Sequence, residues 1–365
     1  MAPASRKPND AAIKDVDMIE EEADRSHPRG VPRREFLIGL AALGAATLLP
    51  KTPSTAQVRA AAAGRPFRID VHHHHFAPPR FVDEVTARDA GNPTLRKWTP
   101  QSSLDEMDKA GVSTSMLSIT RPGVWFGNMD LARKLARDSN DFAARMLSDH
   151  PKRFGLFATL PLPDVEGTLR EIEYGFETLQ ADGVAVMSSY DGKYLGDPAF
   201  VPVMDELNRR KAIVYEHPLR EDRENPLNGI ELVTDTTRTI ASLLYSATVT
   251  RCPDIRFIFS HAGGTIPSVT GRMGGVGEKL PKGLIYELQR FYYDTAQAFN
   301  PYILPSFKKL VPISHILFGT DYPLGTGIES VAQGLRDNGG FSRSELRAIE
   351  RDNALALFPR LKAPA

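Results

Sequence analysis

A single cysteine, Cys252, stands in the 365-residue sequence. It cannot close an internal disulfide, and it has no companion thiol with which to hold a metal. In the turn Arg251-Cys252-Pro253 only Arg251 is placed to lower its pKa, so a half-buried helix-end role is favoured over a nucleophilic one. Net charge is missing as well: 45 Lys+Arg balance 45 Asp+Glu, and the sequence pI is near 7.1. Without a field of one sign, nucleic acid and anionic lipid are not expected as partners, and a small organic molecule is the default. No apolar run reaches the roughly 18–20 residues needed to cross a bilayer. No glycine-rich phosphate loop follows the first candidate strand, which argues against a doubly wound nucleotide-binding sheet.

The first part of the chain reads as an address. Residues 1–32 are polar and lack a periodic apolar face. Arg33-Arg34-Glu35-Phe36-Leu37 then precede a short apolar run over 38–49, and small residues follow at 60–63. A twin arginine before a short apolar segment predicts twin-arginine export, with 1–63 as a cleaved signal region and a periplasmic mature protein. An uncleaved membrane anchor is the second reading. No stable membrane partner is expected of the mature domain.

From residue 67 the sequence alternates apolar runs with amphipathic stretches. Strands are expected over 67–71, 114–119, 154–160, 183–187, 212–215, 255–260, 291–294 and 315–319, most of them continuously apolar, as suits strands buried on both faces. Helices are expected over 128–147, 166–179, 200–211 and 345–357. Asp164 and Asp197 are placed to cap two of these, and Ser342 with Glu345 forms a capping box for the last. Eight strands alternating with helices over 67–359 predict a single α/β domain, a (β/α)₈ TIM barrel. Two polar, glycine- and proline-containing stretches, 219–232 and 263–283, read as lids over its mouth.

Ionisable residues gather where these strands end. The first closes on Ile69-Asp70-Val71-His72-His73-His74-His75. Alternate side chains of a strand share a face, so His72 and His74 can share one ion. The fifth ends Tyr215-Glu216-His217-Pro218, the sixth Ser260-His261-Ala262-Gly263, and the eighth Gly319-Thr320-Asp321-Tyr322. A lone histidine at one strand end is more often structural. Histidine or aspartate at four strand ends, all on the face where barrels do chemistry, predicts a site. Three imidazoles and one carboxylate (His72, His74, His217, Asp321) suit one divalent ion, zinc, manganese or iron, with zinc expected first and manganese second. They leave a coordination position open, with His261 beside it as general acid or base.

At these motifs the sequence resembles the aminocarboxymuconate semialdehyde decarboxylase branch of the amidohydrolase superfamily, nearest its 6-methylsalicylate decarboxylase-like members. Trp98-Thr99-Pro100, Leu160-Pro161-Leu162-Pro163-Asp164 and Tyr194-Leu195-Gly196-Asp197-Pro198 extend the likeness over roughly 67–359. The resemblance implies loss of CO₂ from a small aromatic or dienoic carboxylic acid, with His72, His74, His217 and Asp321 as ligands and His261 and Asp321 as catalytic groups. It also implies a homodimer. Arg121 stands where relatives carry a small residue, which implies an altered substrate. Arg121 and Arg220 are candidate contacts for a second anionic group, and Trp125 and Phe126 for an apolar wall beside the departing CO₂. The principal rival is hydrolysis of an ester, lactone or amide at the same centre. A non-catalytic metal-binding barrel is the third reading, against which His261 argues.

Overall fold

The computed structural model describes residues 67–76, 79–88, 93–219, 227–277 and 279–362. The twin-arginine segment lies outside the described residues, as does Arg220. No helix among the described residues is long and apolar enough to cross a membrane.

Eight parallel strands run in chain order around one sheet: β1 (Arg68–His74), β2 (Val112–Ser118), β3 (Phe154–Thr159), β4 (Gly183–Met187), β7 (Ile213–His217), β8 (Arg256–Phe259), β9 (Tyr292–Asp294) and β10 (Ile316–Leu317). The seam between last and first is closed by backbone bonds from Val71 N to Phe318 O, Asp321 N to His72 O and His74 N to Tyr322 O. Asp70 buttresses it by accepting from Thr320 N and Thr320 Oγ1. The result is the expected (β/α)₈ barrel. Inside it Ile69, Val71, Met116, Phe157, Tyr215 and Ile258 form a packed core, and Leu357 and Phe358 of the last helical segment plug its N-terminal end. Phe157 and Tyr215 stack with ring centroids 5.1 Å apart. The other faces of the strands bury a second apolar layer beneath the helices.

Several local expectations shift. β1 carries on through His74, with an irregularity between Asp70 and His73 that sets three steps of β1 against two of β2. Ile69 and Val71 face the interior, and simple alternation would turn His73 inward next. The extra residue resets the parity and brings His72 and His74 in instead, a use of bulges common beside active sites. His73 turns away to Asp70 and Ser103. The expected helix over 166–179 is α-helical over Val165–Glu173, with Asp164 capping Gly167 N, and closes in a π turn, Tyr174–Thr178. The Ser342–Glu345 capping box is present.

The lid readings need correction. Residues 220–226 of the first lie outside the described residues, and from Asn228 the chain is already in a long helix, Asn228–Tyr245, anchored by buried Ile240, Leu243 and Leu244. The second, 263–283, is folded into short helical turns, with Ile266, Met273, Val276 and Leu280 buried. A hairpin not anticipated, β5 (Ser189–Tyr190) and β6 (Lys193–Tyr194), turns on Asp191-Gly192, both left-handed. That is the dipeptide a two-residue hairpin turn requires.

Candidate metal centre

The ends of β1, β7 and β10 bring His72, His74, His217 and Asp321 together at the C-terminal mouth of the barrel. One ligand atom from each lies within 4.8 Å of the others, and all four residues are buried. His72 Nε2 stands 3.1 Å from His74 Nε2, and Asp321 Oδ1 lies 3.2 Å from the first and 3.0 Å from the second. Gly319 permits this approach: a β-carbon there would come within 2.7 Å of Asp294 Cβ and 2.9 Å of His72 Cβ.

The outer nitrogens assign the tautomers, because a carboxylate or carbonyl oxygen only accepts. His72 Nδ1 donates to Asp294 Oδ2 at 2.9 Å, and His217 Nδ1 donates to Pro218 O at 3.0 Å. His74 Nδ1 meets Ser118 Oγ at 3.3 Å. Each ring thus turns Nε2 inward. Held this way, neutral His72 and His217 turn Nε2 lone pairs inward beside the Asp321 carboxylate, an arrangement that repels unless positive charge sits among them.

Charge points the same way. Burial by itself pushes His72 down, but the carboxylates of Asp294 and Asp321 outweigh it and raise its imidazole to about 10. Burial pushes His74 and His217 down, His217 far below its ordinary value. Burial pushes Asp321 up, and His72 and His74 more than reverse this, holding it well below the usual carboxylate range. The centre therefore demands positive charge, from a proton on His72 or from an ion, and the donor set fits a divalent metal.

His261 sits beside the four, its ring centroid 5.1 Å from that of His72 and 6.0 Å from that of His217. Its Nδ1 donates to Ala296 O at 3.0 Å, and its buried Nε2 has no partner. Burial lowers its pKa, which favours a neutral ring with Nε2 ready to accept a proton.

The substrate candidates are placed less uniformly. Arg121 is half-buried and donates to Asn228 Oδ1 at 3.2 Å. Trp125 donates its indole N–H to Asp191 Oδ1 of the β5–β6 turn at 2.7 Å, and Phe126 packs half-buried on the outer apolar layer. Asp294 was not foreseen. It closes β9 and is fully buried. Its Oδ2 takes His72 Nδ1 and Tyr215 OH, and its Oδ1 takes the backbone N–H groups of His261 and Ala296. The strand-end rule that found His217 and Asp321 applies equally to β9. Gln297, which donates to Asp321 Oδ2 at 2.5 Å, carries no such signal.

The amidohydrolase family profile matches residues 69–360. This chain belongs to the amidohydrolase family. The chain is 36% identical over 329 residues to the decarboxylase yanB of Aspergillus niger, covering 82% of this chain and 89% of the relative. It is 32% identical over 320 residues to the 6-methylsalicylic acid decarboxylase of Penicillium expansum, covering 81% and 97%. Its fold superposes with a TM-score of 0.71, at 20% identity and over 81% and 97% of the two chains, on the 5-carboxyvanillate decarboxylase of Novosphingobium aromaticivorans, a structure complexed with manganese and a nitrobenzoic acid.

Proposed function

We propose that this amidohydrolase is a metal-dependent, non-oxidative decarboxylase of a small aromatic acid that carries a hydroxyl beside its carboxylate. The observation that carries the reading is the inward convergence of three imidazoles and Asp321 on one point, with the unpartnered Nε2 of His261 next to it. The decarboxylase relatives favour this chemistry over ester, lactone or amide hydrolysis.

His72, His74, His217 and Asp321 would hold the ion. When bound, a divalent ion supplies the charge that grips the substrate's carboxylate and neighbouring hydroxyl oxygen. The residues of the chain do the rest. His261, neutral and oriented by Ala296 O, accepts a proton at Nε2 and delivers it to the ring carbon that bears the carboxylate. The bond to CO₂ then breaks, its electron pair returns to the ring, and one proton from solvent recharges the cycle per turnover. Asp321 would join the same proton path from within the ligand set, its carboxylate standing beside His72 and His74. Burial keeps bulk water away while His261 delivers its proton to the ring carbon.

The test is incubation of zinc- and manganese-loaded protein with 2-hydroxybenzoates in deuterated water. CO₂ released in step with a phenol deuterated at the vacated carbon supports the reading. Hydrolysis of esters or lactones without CO₂ release overturns it, and relative rates with the two metals choose the ion. We also propose a homodimer, checked by solution mass. Twin-arginine export with cleavage of 1–63 is proposed too, and Arg33→Lys with Arg34→Lys should hold the protein in the cytoplasm; unchanged export removes that idea.

A further inference from the structure

The turn that follows β9, residues 294–297, supplies none of the four clustered residues, yet it touches three members of the centre. Asp294 holds His72 through Nδ1, Ala296 O holds His261 through Nδ1, and Gln297 Nε2 donates to Asp321 Oδ2 at 2.5 Å. The first two contacts orient imidazoles. The third does something different, because it takes one oxygen of a carboxylate whose other oxygen faces the imidazole nitrogens.

Two further observations single out Gln297. Its side chain is exposed, so packing does not explain its position. Its backbone is left-handed at φ 53, a conformation that residues other than glycine seldom adopt and that gathers at functional sites. Nine such residues occur in the described chain. Lys152, Gln180, Lys211 and Ala247 follow helices, and Asp191 turns the hairpin. The remainder, His261, Ala262, Gln297 and Asp321, all stand just past the strands that build the centre.

We propose that Gln297 is a positioning residue that reserves Asp321 as a one-oxygen ligand, with Oδ1 given to the ion and Oδ2 held away by the amide. The proposal rests on the metal-centre reading above. A free carboxylate can take an ion with both oxygens and occupy two coordination positions. A decarboxylase of hydroxy acids needs those positions for the substrate's own carboxylate and hydroxyl. Glutamine suits this role because it donates without adding charge, so the Asp321 carboxylate is steered and not neutralised.

Cobalt substitution reads this directly, since the intensity of its visible bands falls as coordination number rises. In Gln297→Leu the freed Oδ2 is expected to join the ion. The cobalt bands should weaken, cobalt affinity should hold or tighten, and kcat should fall by about tenfold or more. Gln297→Glu keeps the shape and loses the donor, and it should change the bands and kcat in the same direction. Wild-type bands and kcat in Gln297→Leu overturn the proposal. A loss of cobalt affinity parallel to the loss of turnover, or an effect confined to the leucine variant, also overturns it. Failure of the parent reading looks different: the wild-type protein then takes up no cobalt at the centre, and both fall together.

Discussion

The two ends of the barrel bury charge in opposite ways. At the N-terminal end, beneath the plug of Leu357 and Phe358, Arg68 Nε donates to Glu350 Oε1 at 2.9 Å, and Arg68 Nη1 donates to Ala110 O at 2.5 Å. A guanidinium, fixed in charge, there meets two carboxylates, Glu350 closely and the more exposed Glu329 at 3.7 Å. At the C-terminal end, Asp294 and Asp321 are buried against imidazoles, whose charge is optional. Phe157 and Tyr215, stacked between the two ends, belong to the inner core. The lower pair is complete as folded and serves stability. The upper set is incomplete without a cation, and that incompleteness is what lets it bind and react.

The contrast breaks most severely at His261. His261→Ala should reduce kcat by about 10²–10⁴-fold, the usual worth of a general acid–base group, with the metal content of the purified protein unchanged. A variant that retains full turnover removes His261 from the proton path. At the lower end the readout reverses. Glu350→Ala leaves the Arg68 Nε without its buried acceptor, with only Ala110 O and the more exposed Glu329 still against the guanidinium, which should cost about 1–3 kcal/mol of unfolding free energy. Chemical denaturation measures this, and turnover per folded molecule should not change. A Glu350→Ala protein as stable as wild type would make the lower pair ornamental.

Much of this contrast was legible in the sequence, and the reasons differ along the chain. Most barrel strands announce themselves as short apolar runs, because strands covered on both faces have few polar positions to blur the pattern, although β1 and β2 carry buried polar residues. His217 and Asp321 are visible because ionisable residues rarely close such a run unless the strand's end is exposed to a site. The bulge in β1 is not legible. Strict alternation from Ile69 and Val71 would have chosen His73, and only pairing with β2 decides otherwise. Asp294 and Gln297 act on partners 222 and 24 residues away, and a polar residue that steers another leaves no periodic trace. The β5–β6 hairpin was readable in Asp191-Gly192, but its strands are too short to show alternation.

The metal-free centre offers a pH test of the upper end. His72 in the folded protein is raised to about 10 from an ordinary value of 6.5. Its proton therefore stabilises the metal-free fold fully below the lower value, and that stabilisation is lost as pH rises through the upper one. An entering ion must displace the same proton. Apparent affinity should accordingly climb with pH, by about tenfold per unit while one proton is released. Calorimetry in two buffers of different ionisation enthalpy counts that proton. A pH-independent affinity would mean that His72 is already neutral and that the two carboxylates are balanced some other way.

Asp294→Asn makes the finest cut, because it keeps the shape of the residue and removes one of the two negative charges at the mouth. With its one oxygen turned to His72 the amide can keep that ring's orientation, at the cost of the acceptor for the His261 and Ala296 backbone N–H groups, and the push that makes His72 Nε2 a strong donor to an ion is weakened. Loss of such a partner typically costs about 10–100-fold in metal affinity or activity. The removed charge also lowers the hold on the His72 proton, so the pH at which affinity levels off should fall in this variant. The two effects oppose each other near neutrality and separate at high pH, where only the weaker donor remains. An affinity curve displaced along the pH axis without loss at its plateau would show that Asp294 acts by charge alone, and that the orientation of His72 is secured by the β1 backbone.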